Sequence, residues 1–279
     1  MTLHSKYSEV EKLVNANIAV LLTGEAGSGK TTLISQIADN LKLRFFSQSM
    51  TRQTTLSHLL GFMSVTGVYI PSLLKDAAEN GGVYLLDELD AADANVVLSL
   101  NTIENGYLSF PTGIVKLHPD FRLVATANPQ DQHQRYTGRS KLDKATLDRF
   151  DIVEIPRDDL LEKTLVDGDT FQRMNLLRRI MLENNSSMLL SMRDSMRYQK
   201  RKELDLLNGD DFVFNMVNKS ELIFEKYLVE LPAMPKHLNQ SQCDSLDDLN
   251  DLIVQRGKQD AQARTASGSK SKQGPKPTF

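Results

Sequence analysis

Among 279 residues there is one cysteine, Cys243, and no tryptophan. A single thiol cannot close an internal disulfide, which fits a protein kept in a reducing cytoplasm. Met1–Lys6 lacks the apolar stretch of a signal peptide, and no apolar run approaches the roughly 20 residues that span a bilayer. The expectation is a cytoplasmic chain with no membrane contact. There is no excess of positive charge either: 33 Lys and Arg stand against 36 Asp and Glu, a net charge of −3. Such a balance offers no general attraction to nucleic acid, and no segment interleaves basic with aromatic residues. Internal repeats are absent. What remains is an ordinary globular composition, 40% hydrophobic and 25% charged, long enough for one sizeable α/β domain and a smaller one.

Short apolar runs alternate with helical periodicity over the first half. Residues Thr2–Asn15 place Tyr7, Val10, Leu13 and Val14 on one side of an amphipathic helix. Strand candidates are Ile18–Leu22, Arg44–Ser47, Val83–Leu86, Phe121–Ala127 and Ile152–Ile155, the second being the weakest. Mostly apolar strands separated by helices imply a parallel five-stranded sheet covered on both faces. From Asp158 to Val229 the pattern is helical, with Leu176, Leu177, Ile180 and Met181 on one face and Leu222, Ile223 and Tyr227 suggesting another. The domains expected are 1–156 (α/β), 157–231 (a helical lid) and 232–279, a polar tail too poor in apolar residues to order itself.

The most informative segment is Gly24-Glu25-Ala26-Gly27-Ser28-Gly29-Lys30-Thr31, a complete G-x-x-x-x-G-K-[ST] phosphate loop, followed by Thr32. It lies between a strand and a helix pattern. Its glycines let backbone N–H groups turn inward around phosphates, and the helix aims its positive end at the same anion. Lys30 reaches the β- and γ-phosphates, and Thr31 offers a hydroxyl to Mg²⁺. These residues imply binding of a nucleoside triphosphate.

Two further signals fall at strand ends, where open α/β sheets hold their ligands. Asp87 and Glu88 close the third strand; adjacent carboxylates there are expected to point to different sides, Asp87 toward magnesium and Glu88 toward a water facing the γ-phosphate. Alternatively they are two solvated acids opening the next helix. Asn128 closes the fourth strand, where its amide can bond both the water and a phosphate oxygen; Asn128-Pro129 is also a plain turn signal. Residues 107–118 alternate around Pro111-Thr112-Gly113, which suits a hairpin. Ser191 and Asp194 form an S-x-x-D capping pattern that puts Arg193 in a first helical turn, with Arg197 and Arg201 following on the same face as a solvated stripe.

Together these features resemble the AAA+ ATPases, from about Asn15 to Leu207. Gly24–Thr31 is similar to Walker A, Val83–Glu88 to Walker B and Asn128 to sensor 1. Within that superfamily the chain resembles the MoxR and CbbQ/NorQ branch, related to the dynein-type and midasin modules. The resemblance rests on Leu60-Gly61-Phe62 through Gly82 as a helix-2 insert and on Leu100–Gly106 with the hairpin at 107–118. It rests also on Leu142–Phe150 as an L-x-x-A-x-L-D-R-F box and on Ser191-Met192-Arg193 as sensor 2.

The resemblance implies ATP and Mg²⁺ as cofactors and a homo-oligomer, a hexameric ring, that remodels or activates a partner protein, with a von Willebrand A-type protein as one partner class. ATP over GTP rests on it as well. It casts Arg149 as an arginine finger acting on a neighbouring subunit's nucleotide, with Arg139 in the same loop as a competitor. Phe62 and Tyr69 become either pore aromatics or mutual packing. Two other readings stand beside this one: a nucleic-acid motor or loader of the same superfamily, and a slow nucleotide-gated assembly switch.

Overall fold

The computed structural model describes residues 2–99, 103–128, 142, 144–186, 190–206, 211–217 and 220–230. Arg139 and its loop, the tail from residue 231 with Cys243, and parts of the two family boxes (100–102 and Asp143) lie outside the described residues. The chain divides into two compact units. One runs to Leu165 and takes in Ser191–Arg193; the other comprises Val166–Leu190 and the residues from Asp194 onward.

Among the described residues of the first unit, the strands are β1 (Val20–Thr23), β2 (Phe45–Ser49), β3 (Phe62–Met63), β4 (Tyr69–Ile70), β5 (Gly82–Asp87), β6 (Tyr107–Phe110), β7 (Gly113–Lys116), β8 (Phe121–Ala127) and β9 (Asp151–Glu154). Five form one parallel sheet in the order β2-β5-β8-β1-β9. The remaining four make two short antiparallel ribbons, β3–β4 and β6–β7. All five expected sheet strands are present, the weakest included.

Strand periodicity decides which face each residue serves. Leu21, Tyr84, Leu86, Leu123 and Ala125 point into one apolar layer with Leu74, Ala77, Leu108 and Phe110. Their alternates Val20, Leu22, Val83, Leu85 and Val124 point into the other. That second layer is closed by helix α1 (Tyr7–Asn15), through Tyr7, Val10 and Val14, and by helix α2 (Lys30–Asn40), through Leu33, Ile34 and Ile37. Both faces are dry, so the strands read as continuous apolar runs.

The first helix begins at Tyr7 and not at Thr2, because the residues before it have other partners. His4 Nε2 lies 3.1 Å from the carbonyl of Pro156, and the Ser5 amide donates to Asp158 at 2.6 Å. Asp158 also accepts from the Leu161 amide at 3.0 Å, capping helix Asp159–Leu165. These bonds hold that helix against the start of the chain, within the first unit, which runs to Leu165.

In the second unit, helix Gly168–Glu183 buries Met174, Leu177, Ile180 and Met181 against Val213, Val217, Ile223 and Tyr227. Leu176 only borders this core, and Leu222 is exposed; Ile223 and Tyr227, four apart, form the inward face of helix Glu221–Glu230. Asp167 caps the long helix by accepting from the Thr170 amide at 2.7 Å.

Burial pushes the Asp158 carboxyl up, but bonds from Leu161 and Ser5 and the nearby His4 outweigh this and hold it below its ordinary value of 3.8. A lowered folded value means the contribution to stability is present above pH 3.8 and is lost as pH falls through the folded value. Asp158→Ala should lower unfolding stability at neutral pH by about 1–2 kcal/mol, the usual worth of a cap. In urea melts the gap from wild type should narrow steadily once pH falls below that of a free aspartate.

Candidate nucleotide site

The loop between β1 and α2 is shaped by three glycines. Gly27 and Gly29 have φ of +80° and +91°, a region open to glycine. A Cβ on Gly27 would also lie 2.7 Å from the Ser191 side chain. Gly24 is constrained by space: a Cβ there would stand 2.3 Å from the carbonyl oxygen of Ile155, just past β9. Lys30 is buried and donates to the carbonyls of Gly24 and Glu25 at 2.7 and 2.9 Å, so its ammonium lies over the loop.

Strand order brings the remaining groups to this loop. β8 lies between β1 and β5, and the parallel register aligns Thr23 with Ala127 and Leu86 with Ala125. Asp87 and Asn128 therefore leave the sheet on the side of the phosphate loop. Thr31 donates from its hydroxyl to Asp87 Oδ2 at 3.2 Å. One pocket in the first unit is lined by Lys30, Thr31, Thr32, Asp87, Glu88 and Asn128, with Ala26, Gly27 and Gly29 from the loop and Arg193 from the first turn of helix Met192–Glu203.

Gly24, Glu25 and Ser28 belong to the loop but do not line this pocket, and the Ser28 hydroxyl is buried with no hydrogen-bond partner among the described residues. Arg149 also lies apart from it. Its side chain is half-buried, with Nη1 enclosed, in an apolar niche beside Val97, Leu123 and Phe150.

Glu88 does not continue the strand alternation expected of it. β5 ends at Asp87, and Glu88 takes φ 61° and ψ 46°, a left-handed conformation uncommon for a glutamate, before the turn Leu89–Ala91. Its amide donates to the Thr126 hydroxyl at 2.9 Å. That hydroxyl in turn donates to Asp87 Oδ1 at 2.5 Å. Thr126 is a pocket residue that the motif reading passed over. Its signal was a hydroxyl inside an apolar strand, which when buried needs partners.

Of the insert aromatics, Tyr69 donates from its hydroxyl to the carbonyl of Leu60 at 2.7 Å and so fastens the β3–β4 ribbon, whereas Phe62 is exposed. The expected hairpin at 107–118 is present as β6–β7, with Leu108 and Phe110 in the core.

Residues 19–150 match the AAA domain of the dynein-related subfamily. They are an AAA domain of that subfamily. Midasin from Dictyostelium discoideum is 33% identical over 161 residues, covering 54% of this chain and 3% of midasin. Mouse von Willebrand factor A domain-containing protein 8 is 31% identical over 128 residues, covering 39% of this chain and 7% of the mouse protein. The chain thus spans only a small part of these relatives. Among solved structures, NtrX from Brucella abortus in complex with ADP superimposes with a TM-score of 0.53 at 16% identity, over 89% of this chain and 59% of NtrX. At that identity the likeness is one of fold: a five-stranded parallel sheet with flanking helices. Among the described residues no helix is long and apolar enough to cross a membrane.

The tight fit of Gly24 in the AAA domain has a measurable consequence. With a backbone oxygen 2.3 Å from the new Cβ, Gly24→Ala must displace the loop. Affinity for a fluorescent ATP analogue should drop about tenfold or more, equivalent to about 1.4 kcal/mol of strain, with the far-UV spectrum unchanged.

Proposed function

We propose that this chain hydrolyses ATP with magnesium as a subunit of a homo-oligomeric ring, a hexamer, and uses turnover to remodel or activate a partner protein. The observation that carries this reading is the convergence of Lys30, Thr31, Asp87, Glu88, Asn128 and Arg193 on one pocket. Each is the residue type that phosphoryl transfer to water requires at that place.

The loop amides and Lys30 hold the phosphates, Lys30 giving up its carbonyl contacts for phosphate oxygens. Arg193 adds a second cation, able to grip a phosphate with two N–H groups. Thr31 and Asp87 present two hard oxygen donors 3.2 Å apart, which suits magnesium; such ions take few protein ligands and share the rest with phosphates and water. When bound, the ion supplies charge neutralisation at the phosphate oxygens. Glu88 orients the attacking water and receives its proton, and Asn128 holds the water or a γ-phosphate oxygen through its amide.

Arg149 is the proposed finger for the nucleotide of an adjacent subunit. Its absence from the lining of the nucleotide pocket agrees with action in trans, and Arg139 remains the competing candidate. Midasin and the mouse relative carry such a domain within much longer proteins, and the partner proposed here is a protein. The mouse relative makes a von Willebrand A-type domain the first class to test.

Glu88→Gln should keep nucleotide affinity and lower turnover at least about 100-fold, as loss of a positioned base does. Persistent turnover in this variant would remove Glu88 from the role. Turnover per subunit in the wild type should rise with protein concentration as rings form. Arg149→Ala should lower it by roughly a thousandfold or more, and an equal rate in a strictly monomeric sample would exclude the ring. A pull-down with Glu88→Gln in ATP should retain the partner.

A further inference from the structure

We propose that Thr126 is a positioning residue for Glu88, fixing the backbone from which that carboxylate reaches the pocket. The inference rests on the reading of Glu88 as the residue that activates water.

The last residue pair joining β5 to β8 is Leu86 with Ala125. Beyond it Asp87 still pairs with Ser49 of β2 on its other side, but Glu88 lies past both ladders, and an amide leaving a sheet needs a new acceptor. The Glu88 amide finds it in the Thr126 hydroxyl at 2.9 Å. Thr126 is 1% exposed, so water does not compete for the bond.

Proton assignment in this cluster is unambiguous. An amide donates only, an ionised carboxylate accepts only, and a hydroxyl has one proton and two lone pairs. Thr126 therefore accepts from Glu88 and gives its single proton to Asp87 Oδ1, 2.5 Å away. The other oxygen of Asp87 accepts from Thr31 at 3.2 Å. A continuous chain of bonds thus runs from the phosphate loop, through Asp87 and Thr126, to the backbone of Glu88.

That backbone is where support matters. Glu88 sits at φ 61° and ψ 46°, and a residue other than glycine persists there only where its surroundings over-determine it. Without the hydroxyl, the amide of Glu88 loses this acceptor and Asp87 loses a donor at the same time. Serine retains both bonds. Valine has nearly the same shape as threonine and retains neither.

The test compares wild type, Thr126→Val, Thr126→Ser and Glu88→Gln in ATP turnover and in affinity for a fluorescent ATP analogue, with thermal melts as a check on folding. Thr126→Val should lower kcat about 10- to 100-fold, the range seen when a supporting hydrogen bond is removed, while KM and analogue affinity stay within about twofold of wild type. Thr126→Ser should return kcat to near the wild-type value. Independently of activity, the Glu88 amide should exchange with deuterium faster in Thr126→Val than in wild type. Wild-type kcat in Thr126→Val, parallel loss of kcat and analogue affinity, or failure of serine to rescue would each overturn the proposal. Turnover in Glu88→Gln equal to wild type would instead overturn the reading of Glu88 on which it rests.

Discussion

The site depends on the parallel pairing of β8 with β1 on one side and β5 on the other. Parallel strands carry their C-terminal ends to one edge of the sheet, and the register here sets three of those ends nearly level. The phosphate loop leaves from one, Asn128 from the second and Asp87 from the third. No loop has to search for its position, because Asp87 is the last residue of its strand, and Gly24, Glu88 and Asn128 are each the first residue past one. Shifting one strand by one residue would turn every side chain on it to the opposite layer, exchanging Leu85 for Leu86 and separating Asp87 from Thr31.

Much of this arrangement was legible in the chain itself. The sheet strands are apolar runs with no competing period, and the phosphate loop has a spacing that few other structures require. Other parts were hidden for physical reasons. The left-handed turn at Glu88 carries no glycine or asparagine to announce it, because a hydroxyl 38 residues away supplies the support. The start of α1 was misplaced because Ser5 and His4 bond to residues more than 150 positions later. The niche around Arg149 gathers Val97, Leu123 and Phe150, which no local pattern connects.

The two short ribbons are held in different ways. In β6–β7, alternate residues Leu108 and Phe110 reach into the core, so the ribbon is anchored along one side. In β3–β4, Phe62, Met63, Val65 and Val68 are all exposed, and the ribbon is held from its base, by Tyr69 on Leu60 and by Gly61 at φ +73° beneath Ile70. Amphipathic alternation distinguishes the first from the second, and burial follows it.

The outer strands of the sheet are short and guarded. β9 has four residues, with Asp151 and Glu154 exposed at its ends, and β2 ends in Ser47, Gln48 and Ser49. Charged or polar rims of this kind discourage a foreign strand from extending the sheet. Copies of the chain are thereby steered away from fusing into one continuous ribbon of backbone hydrogen bonds. Any contact they make is left to side chains and loops, which can part and rejoin while the sheet inside each copy stays whole.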